Sequence, residues 1–220
     1  MKTALITGGS RGIGKALVEK FLNEGYMVIS TSTSGSFDYS NENLITKRLE
    51  LEAHYQVVTF AEWAGKEGAK VDVLINNAAV AIDKDAEIVN IALLRRTLNV
   101  NLMGTIQLTE ELLLREVMKD DSIIVNISSG FGSITEDMGS EWPAYSISKA
   151  AINKYTRLLA SRLEDRNIRV YSFDPGWVKT DMGGDNAPRD PKEPAAEIFE
   201  LVKSKSESGY FYLGTKKRDW

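Results

Sequence analysis

Short apolar runs alternate along the chain with stretches whose apolar residues recur every three to four positions, and glycines mark several of the joints. Residues 3–7 are the first such run and end in Gly8-Gly9-Ser10-Arg11-Gly12-Ile13-Gly14. Ala16, Leu17, Phe21 and Leu22 then share one helical stripe that stops at Gly25. A second apolar run covers residues 26–30. Strand, glycine turn, helix and strand within about 30 residues predict a βαβ unit, and with it a parallel sheet.

The alternation continues to the end of the chain. Runs at 49–51, 71–76, 122–127, 168–173 and 210–213 predict further strands, and residues 54–67, 88–118, 145–165 and 194–204 predict helices. Strands covered on both faces read as near-continuous apolar runs, and these do. The expectation is an α/β fold over residues 1–220, a single-domain doubly wound (Rossmann) parallel sheet with helices on both faces. Its ligand crevice should lie beyond the carboxyl ends of the strands. Residues 183–194 hold three prolines and two glycines and predict a mobile loop beside the substrate.

Composition narrows the chemistry. There is no cysteine, which excludes a disulfide scaffold, a thiolate metal site and a thiol nucleophile. A single histidine, His54, argues against a His-rich metal centre or a Ser-His-Asp triad, and it reads as a surface or packing residue. The net charge of −4 argues against a nucleic-acid partner. The one basic cluster, Lys216-Lys217-Arg218, reads as a solvated tail. No apolar run is long enough to span a bilayer, and the start of the chain is too short for a signal peptide. A soluble cytoplasmic protein without a membrane partner is expected.

Three motifs carry chemistry. A glycine turn between strand and helix aims backbone N–H groups and the positive helix end at a phosphate. Its spacing, Gly8-x-x-x-Gly12-x-Gly14, differs from the commoner G-x-G-x-x-G. At the end of the second strand an acid would select NAD, whereas small polar and basic groups admit the 2′-phosphate of NADP. Here stand Thr31, Ser32, Thr33 and Ser34, with no acid before Asp38 and with Arg11 available from the glycine turn. NADP is therefore the expected cofactor. Third, Tyr145 and Lys149 stand four residues apart, on one face of a helix. An ammonium beside a phenol favours phenolate and predicts a tyrosine pKa lowered toward neutrality, suited to acid–base work. Tyr212 and Lys216 repeat the spacing, but a glycine interrupts them, and that pair reads as accidental.

Together these landmarks resemble the short-chain dehydrogenase/reductase family over essentially the whole chain. They run in order: Thr7 to Gly14, Asn76-Asn77-Ala78-Ala79, Asn101, Ser129, Tyr145 with Lys149, and Pro175-Gly176. The run from Pro175 to Gly184 is most similar to the C-factor-like carbonyl reductase branch. The residues alone leave Asn99 a rival of Asn101 and Ser128 a rival of Ser129; the resemblance prefers Asn101 and Ser129. It implies that Tyr145 protonates a substrate carbonyl, that Ser129 hydrogen-bonds the same oxygen, and that Lys149 binds the nicotinamide ribose. Asn101 would hold a water in a proton relay. The cofactor would lie along Gly8, Ser10, Arg11, Gly12, Ile13 and Gly14, with Thr33, Ser34, Glu50, Asn77 and Ala78 at its adenosine side. Pro175, Gly176, Val178 and Thr180 would face its nicotinamide. Phe131, Trp142, Trp177 and Met182, on loops after strands, would line the substrate pocket.

Ala79 replaces the family's usual glycine, and the Ser129–Tyr145 interval is longer than usual by about three residues, with an insertion at 134–141. The implied activity is reduction of a small ketone or aldehyde, or oxidation of the alcohol, by a homodimer or homotetramer. The alternatives are a dinucleotide-binding regulatory protein with little turnover and a sugar-nucleotide epimerase. Only 45 residues follow Pro175, too few for the separate substrate domain of the latter.

Overall fold

In the computed structural model, residues 1–84, 88–204 and 206–220 are described. The strands are β1 (Thr3–Thr7), β2 (Met27–Ser32), β3 (Leu44–Arg48), β4 (Val71–Asn76), β5 (Met118–Ile127), β6 (Arg169–Asp174), β7 (Tyr210–Leu213) and β8 (Lys216–Arg218). The helices are α1 (Gly12–Asn23), α2 (His54–Lys66), α3 (Ile91–Leu98), α4 (Thr105–Leu114), α5 (Pro143–Arg162) and α6 (Lys192–Lys203). One eight-stranded sheet runs β3-β2-β1-β4-β5-β6-β7-β8. All its pairings are parallel except β7 with β8.

The apolar alternation of each strand explains the layers. Ala4, Ile6, Val73, Ile75, Val125 and Phe173 face α1 and α6, whose Leu17, Phe21, Ile198 and Phe199 complete one core. Leu5, Leu74 and Ile124 point the other way, onto Val57 and Phe60 of α2, Leu108 and Leu112 of α4, and Leu159 of α5. Burying both faces fits a doubly wound sheet. The strand order reverses between β1 and β4, which opens a crevice at their carboxyl ends.

Four expectations need correction. The third strand is Leu44–Arg48, not 49–51. It is a half-exposed edge, so it lacks an apolar run, while Leu49 and Leu51 are buried just beyond it. The segment 88–118 is not one helix. A π-helical turn, Asn99–Gly104, separates α3 from α4, and Glu116, at φ +53°, ends the helical path before β5. A methyl on Gly104 would collide with the Leu51 carbonyl oxygen, so only glycine lets the π-turn lie so close. The third correction moves the start of α5 to Pro143, which places Tyr145 in its first turn. Lastly, Lys216-Lys217-Arg218 is no solvated tail but the antiparallel strand β8.

Buried polar side chains tie the layers near the crevice. Asn76 Nδ2 donates to Asn126 Oδ1 at 2.8 Å, and Asn126 Nδ2 donates to Thr156 Oγ1 of α5 at 2.9 Å. Ser172 Oγ donates to Asn153 Oδ1 at 2.5 Å, and Asn153 Nδ2 donates to the Gly132 carbonyl at 3.1 Å. Such a string costs stability when left incomplete, so it fixes α5 against β5 and β6 in one register.

Candidate active site

The glycine turn is shaped by close backbone approach. Gly8 (φ +71°) and Gly12 (φ +55°) occupy conformations that side chains resist. A methyl on Gly9 would strike Ser30 Oγ, and one on Gly14 would strike the Gly8 carbonyl. Asn77 Nδ2 donates to the Thr7 carbonyl at 2.9 Å, and the Asn77 and Ala78 N–H groups both donate to Thr7 Oγ1 at 3.0 Å. Asn77 therefore braces the turn. The helix begins with no side-chain cap at Arg11 and no acid in its first turn. An uncapped N-terminus behind a turn where no Cβ fits is a cradle for phosphate oxygens, and Ser10 and Ile13 lie within it. The residues fit a dinucleotide.

At the rim of β2, Thr33 and Ser34 are exposed, and Ser34 Oγ accepts from the Ser36 N–H at 3.1 Å. Asp38, the first acid after β2, is held by Lys15 Nζ at 2.8 and 2.9 Å, so its charge is spent away from the crevice. The Leu49 N–H donates to the Ser32 carbonyl, which brings Glu50 to the same rim. Arg11, expected to supply positive charge for a 2′-phosphate, pairs through its guanidinium with Asp181. Thr180 is also close there, 3.1 Å from where a Gly12 Cβ would stand.

Catalytic candidates converge at the first turn of α5. Tyr145 faces the loop that carries Ser129 and Phe131, and Ser129 favours its phenolate. Ser128 lies on the other side of that loop, its Oγ donating to the Lys149 carbonyl at 3.4 Å. The geometry thus separates two serines that the sequence leaves adjacent. Lys149 is 3% exposed, and its Nζ donates to the Ile127 carbonyl at 2.6 Å, 5.3 Å from the Tyr145 ring centre. Burial pushes the phenol up to about 12 against the weaker pull of Ser129. The same burial pushes Lys149 down to about 7. The expected lowering of the tyrosine by an ammonium is therefore reversed by burial. Both groups sit out of water, and the charged form of each is disfavoured.

Asn101 is buried in the π-turn. Its Oδ1 accepts from the Val80 N–H at 2.8 Å, and its Nδ2 donates to the Val80 carbonyl at 2.9 Å and to Ser148 Oγ at 3.0 Å. Ser148 Oγ donates to the Tyr145 carbonyl at 2.7 Å. The Asn101 side chain joins the crevice loop to α5.

The residues expected to line a substrate pocket lie on loops. Phe131 meets the Tyr145 ring edge-on at 6.4 Å. Trp142 precedes α5 in a left-handed conformation, φ +58°, which is rare for so large a side chain and aims the chain into the helix. Trp177 and Met182 are exposed, and Trp177 Nε1 donates to the Gly183 carbonyl at 2.8 Å. Gly176 turns at φ +70°, and its N–H donates to Asp174 at 2.9 Å, which sets Pro175. Val178 is buried and bridges to Arg189, whose Nη1 donates to the Pro175 carbonyl at 2.7 Å.

Three residues escaped the sequence reading. Arg48 ends β3 in register with Ser32, its Cβ 3.2 Å from where a Gly35 Cβ would stand, a second cation at the β2 rim. Asp83, 3% exposed, accepts from the Ala144 N–H at 2.5 Å and so caps α5 one residue before Tyr145. Tyr39 donates from its hydroxyl to the Gly9 carbonyl at 2.6 Å. Only Arg48 had a signal, namely a basic residue at the end of an edge strand, and the misplaced third strand hid it. A cavity of about 480 Å³ lies at the opposite end of the sheet, lined by Lys2, Asp72, Lys119 and Arg169, remote from all of these.

Comparison with known proteins finds relatives over most of the chain. The family model described as short chain dehydrogenase matches residues 2–191. The 3-oxoacyl-[acyl-carrier-protein] reductase FabG of Aquifex aeolicus is 33% identical over 190 residues, covering 82% of this chain and 75% of that one. The oxidoreductase UcpA of Salmonella typhimurium is 28% identical over 216 residues, 92% of this chain and 80% of its own. The NADPH-bound carbonyl reductase from chicken fatty liver superposes with a TM-score of 0.91 at 25% identity, covering 100% of this chain and 94% of that one. The carbonyl reductase Sniffer of D. melanogaster does so at 0.87 and 25%, with both chains covered completely.

Proposed function

This chain belongs to the short-chain dehydrogenase/reductase family and is an oxidoreductase, and from that premise we propose that it is an NADP(H)-dependent carbonyl reductase. The reaction moves hydride between the nicotinamide and a ketone or aldehyde, or the alcohol in reverse. The observation that carries this reading is the Tyr145 phenol, buried in the first turn of α5 beside the Ser129–Phe131 loop, with Lys149 one helical turn behind it.

The cofactor supplies the hydride when bound, held by the glycine cradle and by the turn at Pro175–Gly176. A phenol that burial keeps protonated at neutral pH is a ready proton donor to a carbonyl oxygen. Ser129 Oγ donates to that same oxygen and places a fixed dipole where negative charge grows. Once the phenol has passed its proton to the carbonyl oxygen, Lys149, protonated from solvent, favours the phenolate beside it, and a pKa of about 7 puts that protonation near neutral pH. NADP over NAD is supported by the Thr33–Ser34 rim, by Arg48, and by Asp38 being occupied with Lys15.

The test is oxidation of NADPH by the purified protein against a panel of ketones and aldehydes. Tyr145→Phe should lower turnover by about 10³-fold with NADPH affinity retained. A variant that keeps near-normal turnover would remove Tyr145 as the acid. Tight NADPH binding with no turnover of any panel member would favour a regulatory dinucleotide-binding protein instead.

A further inference from the structure

One guanidinium outside the catalytic set joins the walls of the substrate side. Arg218 is the last residue of β8, and its side chain is 15% exposed. Its Nε and Nη2 donate to the two oxygens of Glu136 at 2.9 and 2.5 Å, and its Nη1 pairs with Asp174 Oδ2. Glu136 stands in the insertion between Ser129 and Tyr145. The other oxygen of Asp174 holds the Gly176 N–H, so the same carboxylate sets the Pro175–Gly176 turn. The guanidinium also covers Gly130, next to Ser129: a Cβ there would lie 3.0 and 3.1 Å from its two terminal nitrogens.

The neighbours of Arg218 repeat the connection. Thr135 donates from its N–H and its hydroxyl to the Trp220 carbonyl, each at 2.9 Å, and Ser133 Oγ donates to the Asp219 carbonyl at 3.5 Å. The Trp220 ring stacks on buried Phe211 of β7 at 5.9 Å. Residues 216–220 are thus anchored to the sheet on one side and to the insertion on the other. A planar fork can serve two carboxylates and lie flat on a glycine at once, and an ammonium cannot.

We propose that Arg218 is a positioning residue for the carbonyl substrate. It sets the distance between the loop bearing Ser129 and Phe131 and the turn bearing Trp177, and so the width of the substrate mouth. The clamp stands on the ion pairs, and only the identity of the substrate rests on the reductase reading. Glu136 is held below the usual carboxylate range by Arg218, in keeping with an engaged pair.

Arg218→Lys and Glu136→Gln test it. Arg218→Lys should raise the KM for carbonyl about 5-fold, with kcat and NADPH affinity within about 2-fold of the parent. Glu136→Gln, an exposed change that leaves the fold intact, should move KM the same way by about 2-fold. Hydrogen exchange should quicken in both variants at 131–141 and in Arg218→Lys also at 176–178, with β1 and β4 unchanged. Unchanged KM and exchange in both variants would overturn the proposal. So would a proportional loss of all kinetic constants with folded protein, which marks a structural role alone. If the parent protein reduces no carbonyl, the reductase reading fails, and the exchange pattern alone decides the clamp.

Discussion

The two sides of the crevice are built by different physics. On the cofactor side, Gly8 to Gly14 and Asn77 are set by backbone packed against backbone, where one methyl has no room. On the substrate side, Ser129, the insertion and the Pro175–Gly176 turn are set by charged side chains, with Arg218 joining Glu136 and Asp174. The first side is a rigid mould that tolerates little change in sequence. The second is an adjustable frame, in which altered charges move walls without touching the reacting groups.

That contrast can be broken by experiment. Gly14→Ala forces a methyl against the Gly8 carbonyl and should weaken NADPH binding by about 100-fold, with a stability loss of about 2 kcal/mol. Cofactor titration and thermal melting check this, and near-normal binding would show that the mould yields. The proton balance of Tyr145 and Lys149 should be visible in stability. Between pH 7 and about 10 the unfolded lysine holds a proton that buried Lys149 has lost, so stability rises with pH relative to Lys149→Met. Above about 10 an unfolded tyrosine ionises while buried Tyr145, at about 12, does not, so stability falls again. A difference curve that is flat from pH 7 to 9 would show that Lys149 stays charged. The smallest effect concerns Arg11. Its exposed pair with Asp181 is worth little, so a phosphate can capture the guanidinium. Asp181→Asn should then tighten NADPH about 2-fold, and Arg11→Ala should weaken NADPH more than NADH by about 3-fold. Equal weakening of both cofactors would detach Arg11 from the 2′-phosphate.

The same contrast explains what was legible in the sequence. The mould is local: its glycines, the strand before them and the helix after them are contiguous, so periodicity and turn chemistry suffice. Tyr145 and Lys149 were legible for the same reason, being one helical turn apart. The frame is non-local. Arg218 and Glu136 are separated by 82 residues, and nothing in a charged triplet near the chain end distinguishes a clamp from a solvated tail. The tyrosine pKa was misjudged because spacing reports proximity and not burial. The π-turn was hidden because the partners of Asn101 and Gly104, Val80 and Leu51, lie in other segments.

Strand β8 also changes what the molecule offers to its neighbours. A parallel sheet that ended at β7 would leave an open row of backbone donors and acceptors beside an apolar strand. Here the last strand runs antiparallel, is three residues long, and carries Lys216 and Lys217 exposed along its length. Any chain adding to that edge would have to strip water from two ammonium groups. The segment that frames the substrate mouth is thus also a guard against strand-by-strand aggregation.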